Sequence, residues 1–204
     1  MSEDETPGVV SDENLIARVA AGDADALGVL FRRSQQNVYR FALHLTGSPA
    51  IADDVTQDVF VAVIRDARRF EAGRASVVAW LCGIARNFVR RRLGPAREVA
   101  SIDDETFDGP MPVVNADPLL DLTSGEELES LRRAVLSLPL KYREVIVLCD
   151  LQELSYQDAA STVECAVGTV RSRLHRARAL LTAKLQAEQK GRERVRTGTN
   201  RYIA

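Results

Sequence analysis

The sequence predicts an all-α protein: two small helical domains joined by a flexible acidic linker. Three observations carry that prediction. Apolar residues recur at helical spacing over 12–93 and again over 126–189. The roughly thirty residues between them have no such period and are rich in proline, glycine and acids. Aromatic residues make up only 5% of the 204 residues, against 46% hydrophobic, so a core can be buried without the aromatic enrichment of sheets.

The elements follow in order. Residues 1–11 lack any apolar pattern and read as disordered. Asp12 to Ala20 reads as a short helix with Leu15, Ile16 and Val19 on one face, broken by Gly22. Asp23 to Thr46 is a long amphipathic stretch through Leu27, Leu30, Phe31, Val38, Phe41, Ala42 and Leu45. Asp23 and Asp25 suit the positive end of its dipole. Gly47-Ser48-Pro49 ends it and opens the next helix, which the four-spaced Ile51, Val55, Val59, Val63 and Ala67 carry to about Phe70. Ser76 can cap a helix through Trp80, Leu81, Ile84, Ala85 and Phe88 to about Leu93, where Gly94-Pro95 stops it. Trp80 is expected in the core. These elements make a first domain over 12–95.

Residues 96–125 form the linker, with Pro110, Pro112, Pro118 and seven acids. A second domain over 126–189 opens with Leu128, Leu131, Val135 and Leu136, then Lys141 to Leu151. Ser155-Tyr156-Gln157-Asp158 has capping-box spacing and opens a helix to about Val163. After a turn at Glu164-Cys165 a last helix runs from Ala166 to about Gln189, and a basic, disordered tail covers 190–204.

Charge narrows the function. The net charge is only −2, yet residues 65–97 carry +7 and residues 166–204 carry +8, separated by −11 over 98–165 and preceded by −6 over 1–64. Two separate basic blocks on a near-neutral chain suit two contacts with phosphate backbone. Opposite charges would also draw the domains together at low salt, hiding part of the DNA surface. Enzymatic function is not expected, because no nucleophile–base set, metal-ligand spacing or glycine-rich phosphate loop is visible. No cofactor is expected either. The three cysteines (Cys82, Cys149, Cys165) form no Cys-x-x-Cys pair, and His44, one of two histidines, sits among apolar residues as a structural group. No apolar run approaches the roughly 18 residues of a membrane span. The acidic N-terminus does not resemble a signal peptide, so a cytoplasmic protein without membrane insertion is expected.

Residues 155–185 read as a helix-turn-helix. Val170, Leu174, Ala177 and Leu181 make a buried stripe on its second helix. Between them Arg171 and His175, and Ser172 and Arg176, stack four apart on the other face, where a helix in the major groove reads bases.

At these residues the chain becomes recognisable. Leu154 to Ala160 and Val167 to Arg178 resemble region 4 of extracytoplasmic-function sigma factors. Ser137-Leu138-Pro139 followed by Arg143 is similar to the entry to that region. Ala52 to Phe60 resembles region 2.2, and Ala79 to Asn87 resembles the "WL-x-x-IARN" stretch of regions 2.3 and 2.4. The four stand in register from about Asn14 to Leu185.

The resemblance implies a specificity subunit that binds core RNA polymerase and directs promoter-specific initiation. It implies −35 reading by Thr169, Arg171, Ser172, His175 and Arg176. It implies capture of an unstacked −10 base and promoter melting around Phe70, Arg74, Arg86, Asn87 and Arg90, with Arg65, Arg68, Arg69, Arg91 and Arg92 on the backbone. Docking on the clamp helices of polymerase's largest subunit falls to Asp53, Asp54, Gln57 and Asp58. An anti-sigma factor acting in trans is the implied restraint. Three departures stand out: Ala166 where the family often has proline, Glu164 where glycine is common, and Arg91 where aspartate is frequent. Two other readings compete. A stand-alone helix-turn-helix regulator leaves 50–93 unexplained, and a helical adaptor or anti-sigma antagonist does not need two arginine-rich blocks.

Overall fold

A computed structural model describes the backbone over residues 10–94 and 125–199, with side chains as far as Gln189. The expected linker, most of the N-terminal segment and residues 200–204 lie outside the described residues. The first domain holds α1 (Asp12–Ala20), α2 (Ala24–Thr46), α3 (Pro49–Asp66), a 3-10 turn (Ala67–Arg69) and α4 (Val77–Leu93). The second holds α5 (Gly125–Leu136), α6 (Leu140–Ile146), a π-helical turn (Val147–Leu151), α7 (Tyr156–Val163) and α8 (Val167–Thr199).

Side chains set most of these starts. Ser11, Asp23, Ser48, Ser76 and Ser155 each accept a hydrogen bond from the backbone N–H three residues on, satisfying one of the donors a helix leaves orphaned. Ser11 is therefore an ordered cap, inside the segment expected to be disordered. At Asp23 the Ala26 N–H, then the Arg18 guanidinium, hold the carboxyl below its usual range. Pro49 occupies the first turn of α3, where its missing N–H costs nothing.

Three helix limits differ from the sequence reading. The helix expected to reach Phe70 tightens into a 3-10 turn after Asp66, leaving Phe70 extended. The stretch expected as one helix to Leu151 changes to π-type spacing at Val147, with Gln152 N–H donating to the Val147 carbonyl. The last helix continues beyond Gln189 to Thr199; residues 190–199 contain no proline, and half of them are Lys, Arg or Glu.

Most periodic apolar residues are where the pattern puts them, but Phe31 and Leu128, read onto the buried faces, are exposed. Leu15, Ile16, Leu30, Val38, Phe41, Leu45, Val55, Val59 and Val63 are buried in the first domain, as is the Val170–Leu174–Ala177–Leu181 stripe in the second. The two sets form one buried apolar cluster, because the domains pack face to face. α7 lies along α4, and α5, α6 and the π-turn meet α2.

The turn between α7 and α8 explains one departure from the family pattern. Glu164 sits in the left-handed region, at φ 58° and ψ 47°, where a side chain is strained and glycine is not. The N–H groups of Glu164 and Cys165 both bond the Ala160 carbonyl there, closing α7. Glu164→Gly should therefore raise stability by roughly 0.5–1 kcal/mol, the left-handed strain relieved less the entropy glycine adds to the unfolded chain. A shift of the urea midpoint to higher concentration checks this.

Candidate nucleic-acid interface

Of the five expected −10 residues, the first domain gathers Phe70, Arg74 and Asn87 around one cleft, while Arg86 and Arg90 do not line it. The chain leaves the 3-10 turn at Phe70 and re-enters helix at Val77, bringing the Phe70 ring edge-on to Trp80 with centroids 5.5 Å apart. Trp80 was expected in the core. It is half-buried, packing partly against the core, and with Phe70 it also lines this cleft. Asn87 is exposed one turn beyond Gly83, and Arg69 and Arg74 stand at the mouth. The cleft measures about 270 Å³, and its far wall comes from the second domain: Ser161, Thr162 and Glu164.

The arginines divide by environment. Arg65, Arg68, Arg69 and Arg74 are exposed; Arg65, Arg69 and Arg74 meet the nearby acids Asp66, Asp66 and Glu71 in turn, and Arg68 donates to the Ala20 carbonyl of α1. Arg90 is half-buried. Arg86, expected on the DNA backbone, is instead turned inward. Its guanidinium is 2.8 Å from the carboxylate of Glu144 on α6, with 8% and 3% of the two side chains exposed. In this arrangement Arg86 does not face solvent, because the second domain covers it.

On the recognition helix α8, Arg171 and Ser172 are exposed, while Thr169, His175 and Arg176 are half-buried. The Arg171 guanidinium lies over the Tyr156 ring, 5.7 Å from its centroid, which holds it in place. The Ser172 hydroxyl donates to the Thr169 carbonyl. Arg178 is used structurally: two hydrogen bonds of 3.0 and 2.6 Å fix it to Asp150 on the π-turn, bracing α8 against the start of the motif.

Asp53, Asp54 and Gln57 are exposed on α3, and Asp58 is shared with Arg92 on α4 at 2.6 Å. Two neighbours on that face escaped the sequence reading. Val61 and Ile64 are each 59% exposed, off the buried stripe of Val55, Val59 and Val63. Their signal was there: apolar residues of a helix that do not fit its own core period.

Family models match both halves of the chain: "Sigma-70 region 2" over residues 30–97 and "Sigma-70, region 4" over residues 128–181. A similar relative is the sigma factor SigC of Mycobacterium tuberculosis, 35% identical over 174 residues, covering 85% of this chain and 91% of that one. The chain belongs to the sigma-70 family, in its extracytoplasmic-function branch. SigE of Mycolicibacterium smegmatis is 35% identical over 166 residues, 78% of this sigma factor and 62% of that longer relative. Among solved structures, CnrH in complex with the cytosolic domain of CnrY has a TM-score of 0.65 at 29% identity, covering 86% of this chain and 97% of that one. The sigma factor RpoE in complex with the anti-sigma factor NepR from Bartonella quintana has a TM-score of 0.58 at 27% identity, covering 76% and 94%. This protein is an alternative sigma factor directing promoter-specific transcription, and its family consists of DNA-binding regulators. The region 2 match accounts for the part of the chain that a stand-alone helix-turn-helix regulator would leave unexplained.

Where the two sigma regions meet, His44 on α2 is mostly buried. That burial, then the positive charges of Arg40 and of Arg132 from α5, hold its imidazole below its usual pKa of 6.5. The depressed value means the folded protein resists protonating a group that the unfolded chain protonates freely. Stability is therefore unaffected well above pH 6.5 and falls as pH drops through 6.5 towards the lower folded value. His44→Gln should flatten the decline in Tm between pH 7.5 and 5 relative to the parent protein.

Proposed function

We propose that this sigma factor binds core RNA polymerase through the outer face of α3, reads the −35 element with α8 and captures an unstacked −10 base in the Phe70–Trp80–Asn87 cleft. The observation that carries this reading is the cleft. It combines aromatic faces, a side-chain amide for base edges and flanking arginines for phosphates, and these are the groups that bind single-stranded DNA. Of the −35 set, the exposed Arg171 and Ser172 read most directly, with Thr169, His175 and Arg176 at the margin of the helix.

On α3 the exposed Asp53, Asp54 and Gln57 lie on the N-terminal side of the uncovered Val61 and Ile64, and the exposed Arg65 and Arg68 follow them. An apolar centre with a polar rim is how a protein–protein patch is built. The largest subunit's clamp helices are its proposed partner. The functional units are proposed as 12–95 and 126–189. An anti-sigma factor is the proposed restraint, in keeping with the complex of a similar sigma factor with NepR. The proposed place of action is the cytoplasm. No helix among the described residues is long and apolar enough to cross a membrane.

Promoter opening tests the cleft. With reconstituted holoenzyme, Phe70→Ala and Asn87→Ala should each reduce permanganate reactivity of −10 thymines about tenfold or more, from lost stacking or edge hydrogen bonds worth ~1–3 kcal/mol. Binding to core polymerase should be unchanged. Normal opening in both variants would place the base pocket elsewhere.

A further inference from the structure

The contact between the two domains is built like an interior. Arg86 and Glu144 bury a complete ion pair across it, 58 residues apart in sequence. Around the pair, the Arg143 guanidinium donates to the Leu45 carbonyl at 2.6 Å, and the Thr162 hydroxyl donates to the Ala79 carbonyl at 3.0 Å. The Ser76 N–H, at the start of α4, donates to the Asp158 carboxylate of α7 at 2.8 Å. Leu136 fills the space over Gly47. A long-range attraction between basic and acidic blocks would be loose and salt-sensitive. This contact is short-range, desolvated and directional.

Its position is asymmetric. α7 and its C-cap form the far wall of the base-capturing cleft, so Glu164 lines the same cleft as Arg69 and Arg74. A DNA strand entering the cleft would carry its phosphates past that carboxylate. The recognition helix is not covered, since Arg171 and Ser172 stay exposed.

We propose that the Arg86–Glu144 pair is an intramolecular lock that keeps the free sigma factor closed, with α7 barring single-stranded −10 DNA from the cleft while the −35 helix remains accessible. Glu144 occupies Arg86 as a phosphate would. Separation of the domains exposes both charges to water together, so intermediate positions that keep one buried and unpaired are disfavoured and opening is all-or-none. Once open, Arg86 exchanges a carboxylate for the DNA backbone at the edge of the cleft.

The lock rests on the cleft being the −10 site, so its test separates the two. Small-angle scattering gives the radius of gyration of full-length protein without DNA. Fluorescence anisotropy with a single-stranded −10 oligonucleotide and with a −35 duplex gives the two affinities. Glu144→Gln should enlarge the radius and tighten −10 oligonucleotide binding at least tenfold, leaving −35 duplex binding unchanged. Thr162→Arg, a wedge between α7 and α4 that leaves both lock residues in place, should do the same.

If Glu144→Gln unfolds the protein, its −35 duplex binding is lost as well, and the wedge variant decides. An unchanged radius in Glu144→Gln and Thr162→Arg overturns the lock. An enlarged radius with no gain in −10 affinity overturns the assignment of the cleft instead.

Discussion

Replacing Arg143 with alanine should lower the stability of the folded chain by roughly 3–5 kcal/mol, the cost of stripping a charged donor from several buried acceptors. The side chain is 6% exposed. Its guanidinium donates to the Leu45 carbonyl at 2.6 Å, to the Leu138 carbonyl at 2.9 Å and to the Leu136 carbonyl. Leu45 lies in the last turn of α2 and Leu136 is the last residue of α5, so a single cation serves carbonyls that two helices leave without partners. Arg143→Lys should recover only part of the loss, because a compact ammonium cannot span acceptors in three directions. Urea unfolding measures both. A loss within ~1 kcal/mol for the alanine variant would mean that water replaces the guanidinium.

Arg171→Ala should weaken −35 binding by the holoenzyme about 5- to 150-fold, the ~1–3 kcal/mol of a base-reading arginine. Arg171 is exposed near the start of α8 and held over Tyr156, so little freedom is lost when it docks. Arg176→Ala should cost less, because that side chain is half-buried. Competition against operators altered one base pair at a time distinguishes the roles. A base-reading arginine loses discrimination at one position, whereas a phosphate contact weakens all sequences alike and lowers the salt slope by about one. Uniform weakening by Arg171→Ala would remove it from direct readout.

The helices were legible because their information is local. Ser48, Ser76 and Ser155 cap where the sequence opens helices, and the Val170–Leu181 stripe is buried as its spacing requires. Arg86 was not legible. Nothing in a run of arginines tells one that pairs with a carboxylate 58 residues away from those that remain in solvent. Arg178 and Asp150 repeat the lesson within one domain. Trp80 shows the reverse case, a large aromatic residue whose helical position fits a core but which opens onto a cleft through its contact with Phe70. The SLP-x-x-x-R signature could be matched as a pattern, but its reason became visible only with Arg143 folded back on the carbonyls that precede it.

Val61 and Ile64 point away from the second domain, and closure leaves them uncovered. A docking face that stays open in both states separates encounter from activation in time. Polymerase can collide productively with every molecule in the population, so the bimolecular rate constant carries no penalty for the rarity of the open form. The slow event then follows capture as a first-order rearrangement within the complex. In stopped-flow mixing, the fast phase should scale linearly with polymerase concentration. The second phase should reach a plateau, and substitutions at the domain contact should move only that plateau.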